Sequence, residues 1–395
     1  MRRGDSVARV LLKTSLSPHS GWGQDGIGVA TAMIRTGQAP FLFPLEVAPP
    51  LPQPVTRLLV RPLRPPFDLL LAHVSADRSR LPSVELAASR QRVLWSMWEW
   101  TTFANHPEID DIRRNMSAYD TVVAYDPVSA GAFRSLGPSV PPVLTVQGGF
   151  DAAAWPYLER LWRPPVRFLL IGYLTDRKNP MAVLNAFAAL LDQHGPARFD
   201  AELHIKFVDR MNPLISDPPL RSQVLDETAA VPEPAQEYLL KARGQDRVFP
   251  HVGTWSRKAL LRLYASMHCL VAPSRGEGKN LAALEFMATG GAAIATRVGG
   301  HGVWLDDSYA YPLRCTLRPA TWPVPTAYAE EADADLEHLQ ETMWRVYTNL
   351  GEARAKGMLA ATAIPAGWDW SVALRRLREA LAGVGIDGLA TPIRQ

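Results

Sequence analysis

One stretch in the second half of the chain constrains the fold more than any other. The apolar run Leu270–Ala272 predicts the end of a buried strand, and a loop that contains Gly276 and Gly278 follows it. A helix is predicted from Leu281, with Asn280 as its N-cap. Such a strand, loop and helix form an anion site, because the first N–H groups of the helix point outward and its dipole favours negative charge. The stretch therefore predicts an α/β fold with a ligand at this loop.

Two glutamates flank this loop with seven residues between them, Glu277 in the loop and Glu285 in the helix. At a rise of about 1.5 Å per residue, Glu285 lies about 7.5 Å along the helix from its start. If a diphosphate rests on the helix N-terminus, Glu277 can contact a sugar on one side of it. Glu285 can then contact a ribose that runs back along the helix. The spacing predicts a ligand with a sugar, a diphosphate and a nucleoside.

The run from Pro273 to Gly290, PSRGEGKNLAALEFMATG, resembles the E-x7-E element of retaining GT-B glycosyltransferases of family 4. Its usual form there is PSxxEGFGLPxLEAMAxG, from which Lys279, Asn280 and Ala282 depart. The resemblance implies transfer with retention by a front-face route, in which the departing phosphate deprotonates the acceptor. Glu277 would orient the donor sugar without acting as a covalent nucleophile. The matching positions imply further donor contacts from Gly278, Lys279, Asn280, Leu281 and Glu285.

A second element follows the predicted strand Val166–Gly172. It resembles the G-R-L-x-x-x-K-G element of the same family, whose arginine and lysine grip the diphosphate. Lys178 takes the lysine position, Tyr173 stands at the arginine position, and Arg177 is expected to supply the missing charge. A fixed cation can replace a metal in stabilising a leaving diphosphate. The resemblance thus implies Lys178 and Arg177 as catalytic residues, a UDP- or GDP-linked sugar as donor, and neither a metal nor another cofactor.

A glycine-rich segment follows the first predicted strand, Val7–Leu12. Gly21, Gly23 and Gly26 spell G-x-G-x-x-G, and Glu46 lies 20 residues later, as in dinucleotide-binding oxidoreductases. A polar loop separates this strand from the glycines, however, whereas a dinucleotide fingerprint turns directly off its strand. The segment also resembles the glycine loop of GT-B enzymes, which implies that Gly23 faces the donor sugar. The oxidoreductase remains the less favoured alternative.

Three residues of the first half are candidates for the acceptor side. His73 ends the predicted strand Phe67–His73, and the carboxyl end of such a strand faces the crevice of an open α/β sheet. It either contacts a ligand or is a hydrogen-bonded structural histidine. Arg92–Thr101 resembles a T-M-W-E-T-T segment of some family members, with Trp98 and Glu99 where many carry a histidine. Trp98 is expected to stack on a sugar ring and Glu99 to accept a hydrogen bond, with structural roles as alternatives.

The chain of 395 residues is too long for one compact core, which favours two domains. The resemblance implies an α/β protein with two Rossmann-like domains facing across a cleft, the GT-B fold. Residues 1–160 are expected to form the acceptor-side domain, rejoined by a C-terminal helix at 368–395. Residues 165–365 are expected to form the nucleotide-sugar-binding domain. Within it, residues 209–246 are predicted to form an insertion with two helical pieces, and residues 309–330 are predicted to form a loop.

Composition excludes several classes of protein. A net charge of +3 gives no support for nucleic acid as a partner, and no run of 18 apolar residues predicts a transmembrane segment. The two cysteines form no disulfide framework, and the N-terminus lacks an apolar signal region, so the cytoplasm is the expected location. Residues 1–92 carry 12 Lys and Arg against 6 Asp and Glu, which predicts either weak association with an anionic membrane surface or a solvated face.

Taken with the resemblance, these patterns predict an enzyme of the hexosyltransferase type (EC 2.4). Its partners would be a nucleotide sugar donor and a hydroxyl acceptor on a glycan, a lipid, a protein or a small molecule. A catalytically degenerate GT-B protein that holds a nucleotide sugar or glycan without turnover is the main alternative. Tyr173 and the missing histidine favour that alternative, whereas Glu277, Glu285 and Lys178 oppose it.

Overall fold

The computed structural model describes residues 8–82, 88–103, 106–173, 175–207, 247–320 and 326–389. The predicted insertion at 209–246 lies outside these described residues. The chain divides into two compact units. The first consists of Met1–Ala152, Pro319–Glu330 and Ala366–Gln395, and the second of Ala153–Arg318 and Glu331–Pro365. Within the described residues, no helix combines the length and the apolar character that crossing a membrane requires.

The first unit is built on a parallel sheet with the strand order β2-β1-β3-β4-β5-β6. Helices cover both faces, which explains the buried apolar runs Val10–Leu12 and Leu69–Ala72 in two of its central strands. Leu12 packs in one core cluster with the C-terminal helix, and its neighbour Leu11 packs in the cluster on the other face. The strands are β1 (Val10–Leu16), β2 (Phe41–Val47), β3 (Phe67–His73), β4 (Ser89–Ser96), β5 (Thr121–Ala124) and β6 (Val143–Thr145). The helices are α1 (Gly21–Arg35), α2 (Gln53–Leu59), α3 (Ile109–Met116), α4 (Pro127–Ser135) and, from the chain's end, α11 (Trp370–Ala382).

Helix α11 packs into the core of the first unit through Trp370 at its N-terminus. A Cβ at Gly28 in α1 would lie 1.9 Å from the indole Nε1 of Trp370, so only glycine permits this contact. The Asp369 side chain caps the helix by accepting from the N–H of Ser371 at 2.8 Å. Gly28 therefore permits the close contact of α1 with Trp370, and the last helix belongs to the unit formed by the first 152 residues.

The second unit is built on a parallel sheet with the strand order β12-β11-β10-β7-β8-β9. Its core lies between this sheet and the helices α5 and α9 and contains the buried rings of Phe168, Phe187 and Phe199. The strands are β7 (Val166–Gly172), β8 (Ala201–Phe207), β9 (Val248–Val252), β10 (Cys269–Ala272), β11 (Ala292–Thr296) and β12 (Tyr311–Leu313). The helices are α5 (Pro180–His194), α6 (Arg257–Ser266), α7 (Leu281–Ala288), α8 (His301–Trp304), α9 (Leu336–Thr348) and α10 (Leu350–Trp368).

The prediction of a loop at 309–330 is wrong. β12 extends the second sheet, and β13 (Cys315–Ala320) pairs with β14 (Thr326–Ala334) in a separate two-stranded sheet. The Arg318 side chain on β13 joins the Glu331 carboxylate on β14 at 2.9 Å, and Glu331 is buried. Proline-rich composition concealed these strands, because what stabilises them is backbone pairing with another strand, β12 with β11 and β13 with β14.

Candidate active site

The order of strands in the second sheet brings two loops together. From β7 the chain proceeds through β8 to β9 on one side, and then returns to place β10 on the other side of β7. The strand order therefore reverses between β7 and β10, which makes this position the topological switch point of the sheet. Ligands of open α/β sheets bind at such a point, beyond the carboxyl ends of the strands. The loop after β7 carries Arg177 and Lys178, and the loop after β10 carries Glu277.

Glu277 is buried, with 3% of its surface exposed, and it is the centre of this cluster. Lys178 Nζ donates a hydrogen bond to its Oε1, and Ser274 Oγ donates to the same oxygen at 2.8 Å. Arg177 Nη1 lies 3.1 Å from its Oε2. Burial by itself would raise the pKa of Glu277, but the charges of Lys178 and Arg177 outweigh it and hold that pKa well below its usual range. Glu277 is therefore an ionised carboxylate.

Arg177 and Lys178 are held by the backbone around them. They belong to a 3₁₀ turn, Asp176–Lys178, and Arg177 Nη1 also donates to the carbonyl of Gly276 at 2.7 Å. The Lys178 side chain passes over Gly172, whose φ of +143° suits glycine and where a Cβ would lie 3.2 Å from Lys178 Cε. Two cations thus share one carboxylate, and the net positive charge suits a diphosphate, which takes charge-assisted hydrogen bonds from both kinds of side chain.

Asn280 stands at the N-cap position of α7, as predicted, but its side chain does not cap the helix. Its backbone is left-handed, with φ of +62°, a conformation that asparagine tolerates better than most residues. Its Nδ2 instead donates to Nε2 of His301 at 2.8 Å, because Nδ1 of that histidine donates to the Thr296 carbonyl at 3.0 Å. The departure at Asn280 from the usual glycine is therefore accommodated by a left-handed backbone and a buried histidine.

This geometry predicts how substitutions at Asn280 change stability. Asn280→Ala should lower the free energy of unfolding by about 2–4 kcal/mol, because it strains the left-handed backbone and leaves Nε2 of His301 without its donor. Asn280→Gly should lower it by roughly half as much, since only the hydrogen bond is lost. Urea unfolding of both variants measures the difference. Equal losses in the two variants would show that the backbone conformation contributes nothing.

His301 was missed by the sequence reasoning, and its only signal is its place directly after Gly299 and Gly300. Burial lowers its pKa to about 4, although the charge of Glu277 acts to raise it, while Lys178 and Arg177 act to lower it further. The imidazole is therefore neutral at neutral pH, with its proton on Nδ1. The neutral imidazole adds no charge to the site, so its positive charge is that of Arg177 and Lys178.

A pH dependence of stability follows from His301. Because its folded-state pKa lies below the usual value of about 6.5, the unfolded chain takes up a proton that the folded chain does not as pH falls. Between pH 7 and pH 5 the free energy of unfolding should fall by about 2 kcal/mol more in the wild type than in His301→Gln. Urea unfolding at the two pH values measures this loss. His19→Gln, which removes an exposed histidine, is the control and should follow the wild type.

The two glycines before His301 support the loop from the other side. Gly300 N–H donates to the carbonyl of Glu277 at 2.7 Å, and a Cβ at Gly300 would lie 2.2 Å from the carbonyl oxygen of Gly278. Gly299 has φ of +49°, and a Cβ there would lie 2.4 Å from the Glu277 carbonyl oxygen. The backbone of Glu277 is thus fixed by a contact that only glycines permit.

The remaining predicted donor contacts lie on the same loop and helix. Gly278 and Lys279 are buried in the loop, and Leu281 begins α7. Glu285 lies one helical turn further on, 6% exposed, and its Oε2 is 3.5 Å from the hydroxyl of Tyr264. Burial and the charge of Glu285 raise the pKa of Tyr264, so the tyrosine remains a neutral donor. A ribose contact for Glu285 stays a prediction.

In the first unit, Gly23 and His73 both lie near the carboxyl ends of β1 and β3. Position 23 has no room for a side chain, since a Cβ at Gly23 would lie 2.3 Å from the Ser17 carbonyl oxygen. His73 is buried, with Nδ1 3.2 Å from Thr14 Oγ1 and Nε2 hydrogen-bonded to the hydroxyl of Tyr125. These contacts describe a hydrogen-bonded structural histidine, and a ligand contact for either residue stays a prediction.

Trp98 and Glu99 follow β4 in the same unit, and both are half-buried. One face of the Trp98 ring stacks on Phe103, with centroids 4.0 Å apart and planes 23° apart. Its Nε1 donates to the Thr102 carbonyl at 3.2 Å. The predicted stacking platform is therefore partly occupied by the protein's own loop, and an acceptor contact from Trp98 or Glu99 stays a prediction.

Solved structures define the class of fold. The pair of six-stranded parallel sheets matches the GT-B fold, as predicted. Residues 224–312 match a family model described as "Glycosyl transferases group 1", a segment that includes the loop after β10 and helix α7. No curated protein matches the sequence at a significant level.

Three similar structures illustrate the likeness. Sucrose-phosphate synthase from Thermosynechococcus elongatus has a TM-score of 0.63 at 15% identity, over 95% of this chain and 100% of that chain. Trehalose 6-phosphate synthase from Burkholderia multivorans has a TM-score of 0.63 at 14% identity, over 99% and 100%. Anabaena HepE in complex with UDP-glucose has a TM-score of 0.61 at 12% identity, over 95% and 100%. At these identities the likeness establishes the fold.

Proposed function

We propose that the protein is a retaining glycosyltransferase that moves a sugar from a nucleotide diphosphate to an acceptor hydroxyl. One observation carries the proposal: Arg177, Lys178 and Glu277 converge at the strand reversal of the second sheet. Beside them α7 begins without a side-chain cap from Asn280, and such an end binds anions through its first N–H groups. The matched segment and the UDP-glucose in the HepE structure support a nucleotide-sugar donor, UDP-linked or GDP-linked.

The proposed chemistry assigns each side chain a task. The bond between the sugar and the diphosphate breaks, a new bond forms on the same face to the acceptor oxygen, and the departing phosphate takes the acceptor proton. Lys178 and Arg177 stabilise the charge that grows on the diphosphate, since both are positioned before the reaction begins. Glu277 orients the sugar as an ionised acceptor of hydrogen bonds. Glu285 would hold the ribose.

Activity should survive EDTA, because two fixed cations and the helix end stabilise the leaving group without a metal. The initial rate of transfer is measured before and after chelation and then with added manganese or magnesium. An unchanged rate supports the prediction. Complete loss on chelation that either metal restores would contradict it.

A radiometric assay with UDP- and GDP-linked sugars separates transfer or donor hydrolysis from the degenerate alternative, which binds without turnover. A thermal-shift panel of the same nucleotides identifies the donor, and proton NMR of the product determines whether its anomeric configuration is retained. An absorbance change with nicotinamide cofactors would instead favour the oxidoreductase. Absence of both turnover and binding would overturn the proposal.

The cellular location and an association with membrane surfaces extend the proposal. We place the enzyme in the cytoplasm, consistent with two cysteines that are free thiols in the structure. In the basic segment 1–92, Arg61 stacks on Phe41 and donates to the Ala39 carbonyl at 3.0 Å, whereas Arg57 and Arg64 are exposed. Vesicles that contain anionic lipid test weak surface association, with neutral vesicles as the control.

A further inference from the structure

Arg275 joins the two loops that meet in the candidate active site. Its backbone N–H donates to the Arg177 carbonyl at 2.7 Å, and its Nε donates to the Asp176 carbonyl at 3.1 Å. Its Nη2 donates to the side-chain oxygen of Asn179 at 3.4 Å. Asp176 and Asn179 flank Arg177 and Lys178, so Arg275 contacts the turn on both sides of the cations.

The same arginine is anchored to a third segment, strand β14. Its Nη1 donates to Asp333 Oδ1 at 3.0 Å and lies 3.8 Å from Glu331 Oε1. Its carbonyl accepts from the N–H of Ala332 at 2.7 Å. Arg318 of β13 holds Glu331 in turn, at 2.9 Å. Arg318 of β13 and the residues Glu331, Ala332 and Asp333 of β14 are thus connected through Arg275 to the turn that carries Lys178.

These contacts require an arginine. The side chain is only 12% exposed, and its planar guanidinium donates in three directions at fixed angles. A lysine has one terminal nitrogen and cannot contact the Asp176 carbonyl, Asn179 and Asp333 together. Arg275 itself makes two ion pairs with aspartates, so its own charge is largely compensated within this network.

We propose that Arg275 is a positioning residue for the diphosphate grip. It holds the turn with Arg177 and Lys178 at the correct distance from the Glu277 loop and does not itself contact the donor. The proposal rests on the proposed function, because it assumes that Lys178 binds the nucleotide diphosphate. It predicts that Arg275 acts on nucleotide affinity only through the residues that it positions.

A double-mutant cycle tests this dependence. The dissociation constant of UDP, and of GDP, is measured by calorimetry for wild type, Arg275→Gln, Lys178→Ala and the double variant. Arg275→Gln should weaken binding by about tenfold, whereas in the Lys178→Ala background the same change should weaken it by less than about twofold. A general loss of structure would weaken both backgrounds alike. Arg297→Gln, which removes a surface ion pair with Asp307 in the same unit, should leave the affinity unchanged.

Two further variants keep the test decisive. If Arg275→Gln does not fold, Arg275→Lys retains the charge and should show the same dependence on Lys178. Asp333→Asn removes one anchor of Arg275 and should weaken binding less than Arg275→Gln does. Equal losses in both backgrounds, or wild-type affinity in a folded Arg275→Gln protein, would overturn this inference alone. A wild-type protein that binds neither UDP nor GDP would overturn the proposed function and this inference with it.

Discussion

Glu277→Gln is expected to lower the rate of sugar transfer by about 10²-fold or more, as for a contact that strengthens in the transition state. Affinity for UDP or GDP should stay at least as tight as in wild type. The reason is geometric: glutamine keeps the shape of the side chain and its contact with Ser274, but it no longer neutralises Arg177 and Lys178. Initial rates and calorimetry with the nucleotide and with the intact donor measure both effects.

Glu285→Gln is the matched comparison, because it makes the same chemical change eight positions along the chain. The ribose that Glu285 is proposed to contact is present in both ligands. This variant should therefore weaken the binding of donor and nucleotide diphosphate to a similar degree. Glu202→Gln serves as a control away from the loop, because Glu202 lies on β8 and pairs with Arg167 on β7. Identical responses of Glu277→Gln and Glu285→Gln, or full activity in Glu277→Gln, would contradict the assignment.

Lys178→Ala is expected to abolish most turnover and to weaken UDP or GDP binding by about 1.5–3 kcal/mol, the value of a charge-assisted hydrogen bond. The loss should be larger for turnover than for binding, because the leaving diphosphate gains charge in the transition state. Initial rates and calorimetry measure the two losses. Lys178 and Arg177 share Glu277, so removal of either cation leaves the carboxylate bound to the other.

Lys258→Ala is the control for this prediction, since Lys258 is an exposed lysine at the start of α6 in the same unit. Its affinity and activity should match the wild type. Arg177→Ala tests whether Arg177 supplies the charge that Tyr173 does not, and it should weaken nucleotide binding in the same direction as Lys178→Ala. Unchanged affinity in Lys178→Ala would show that Lys178 is not part of the grip.

Sequence patterns predicted the local order of the second unit well. The strand before Pro273, the loop with Glu277 and the helix from Leu281 all occur where the pattern placed them. Two errors have the same origin. Asn280 was expected to cap α7 and instead bonds His301, and the segment 309–330 was expected to be a loop and instead contributes to β12, β13 and β14. In each case a partner outside the local run of residues, His301 for Asn280 and a paired strand for each of the three strands, competes with the local preference.

By itself, the sequence determined the alternation of strands and helices, the glycine-containing loops and the charged residues that follow the strands. These features depend on interactions between residues a few positions apart, which periodicity and turn chemistry record. Only the tertiary structure decided that Lys178 meets Glu277, 99 positions away, and that Arg275 connects both loops to β14. The physical reason is that these contacts depend on the order of strands in the sheet. β10 lies beside β7 because backbone hydrogen bonds across the sheet pair them.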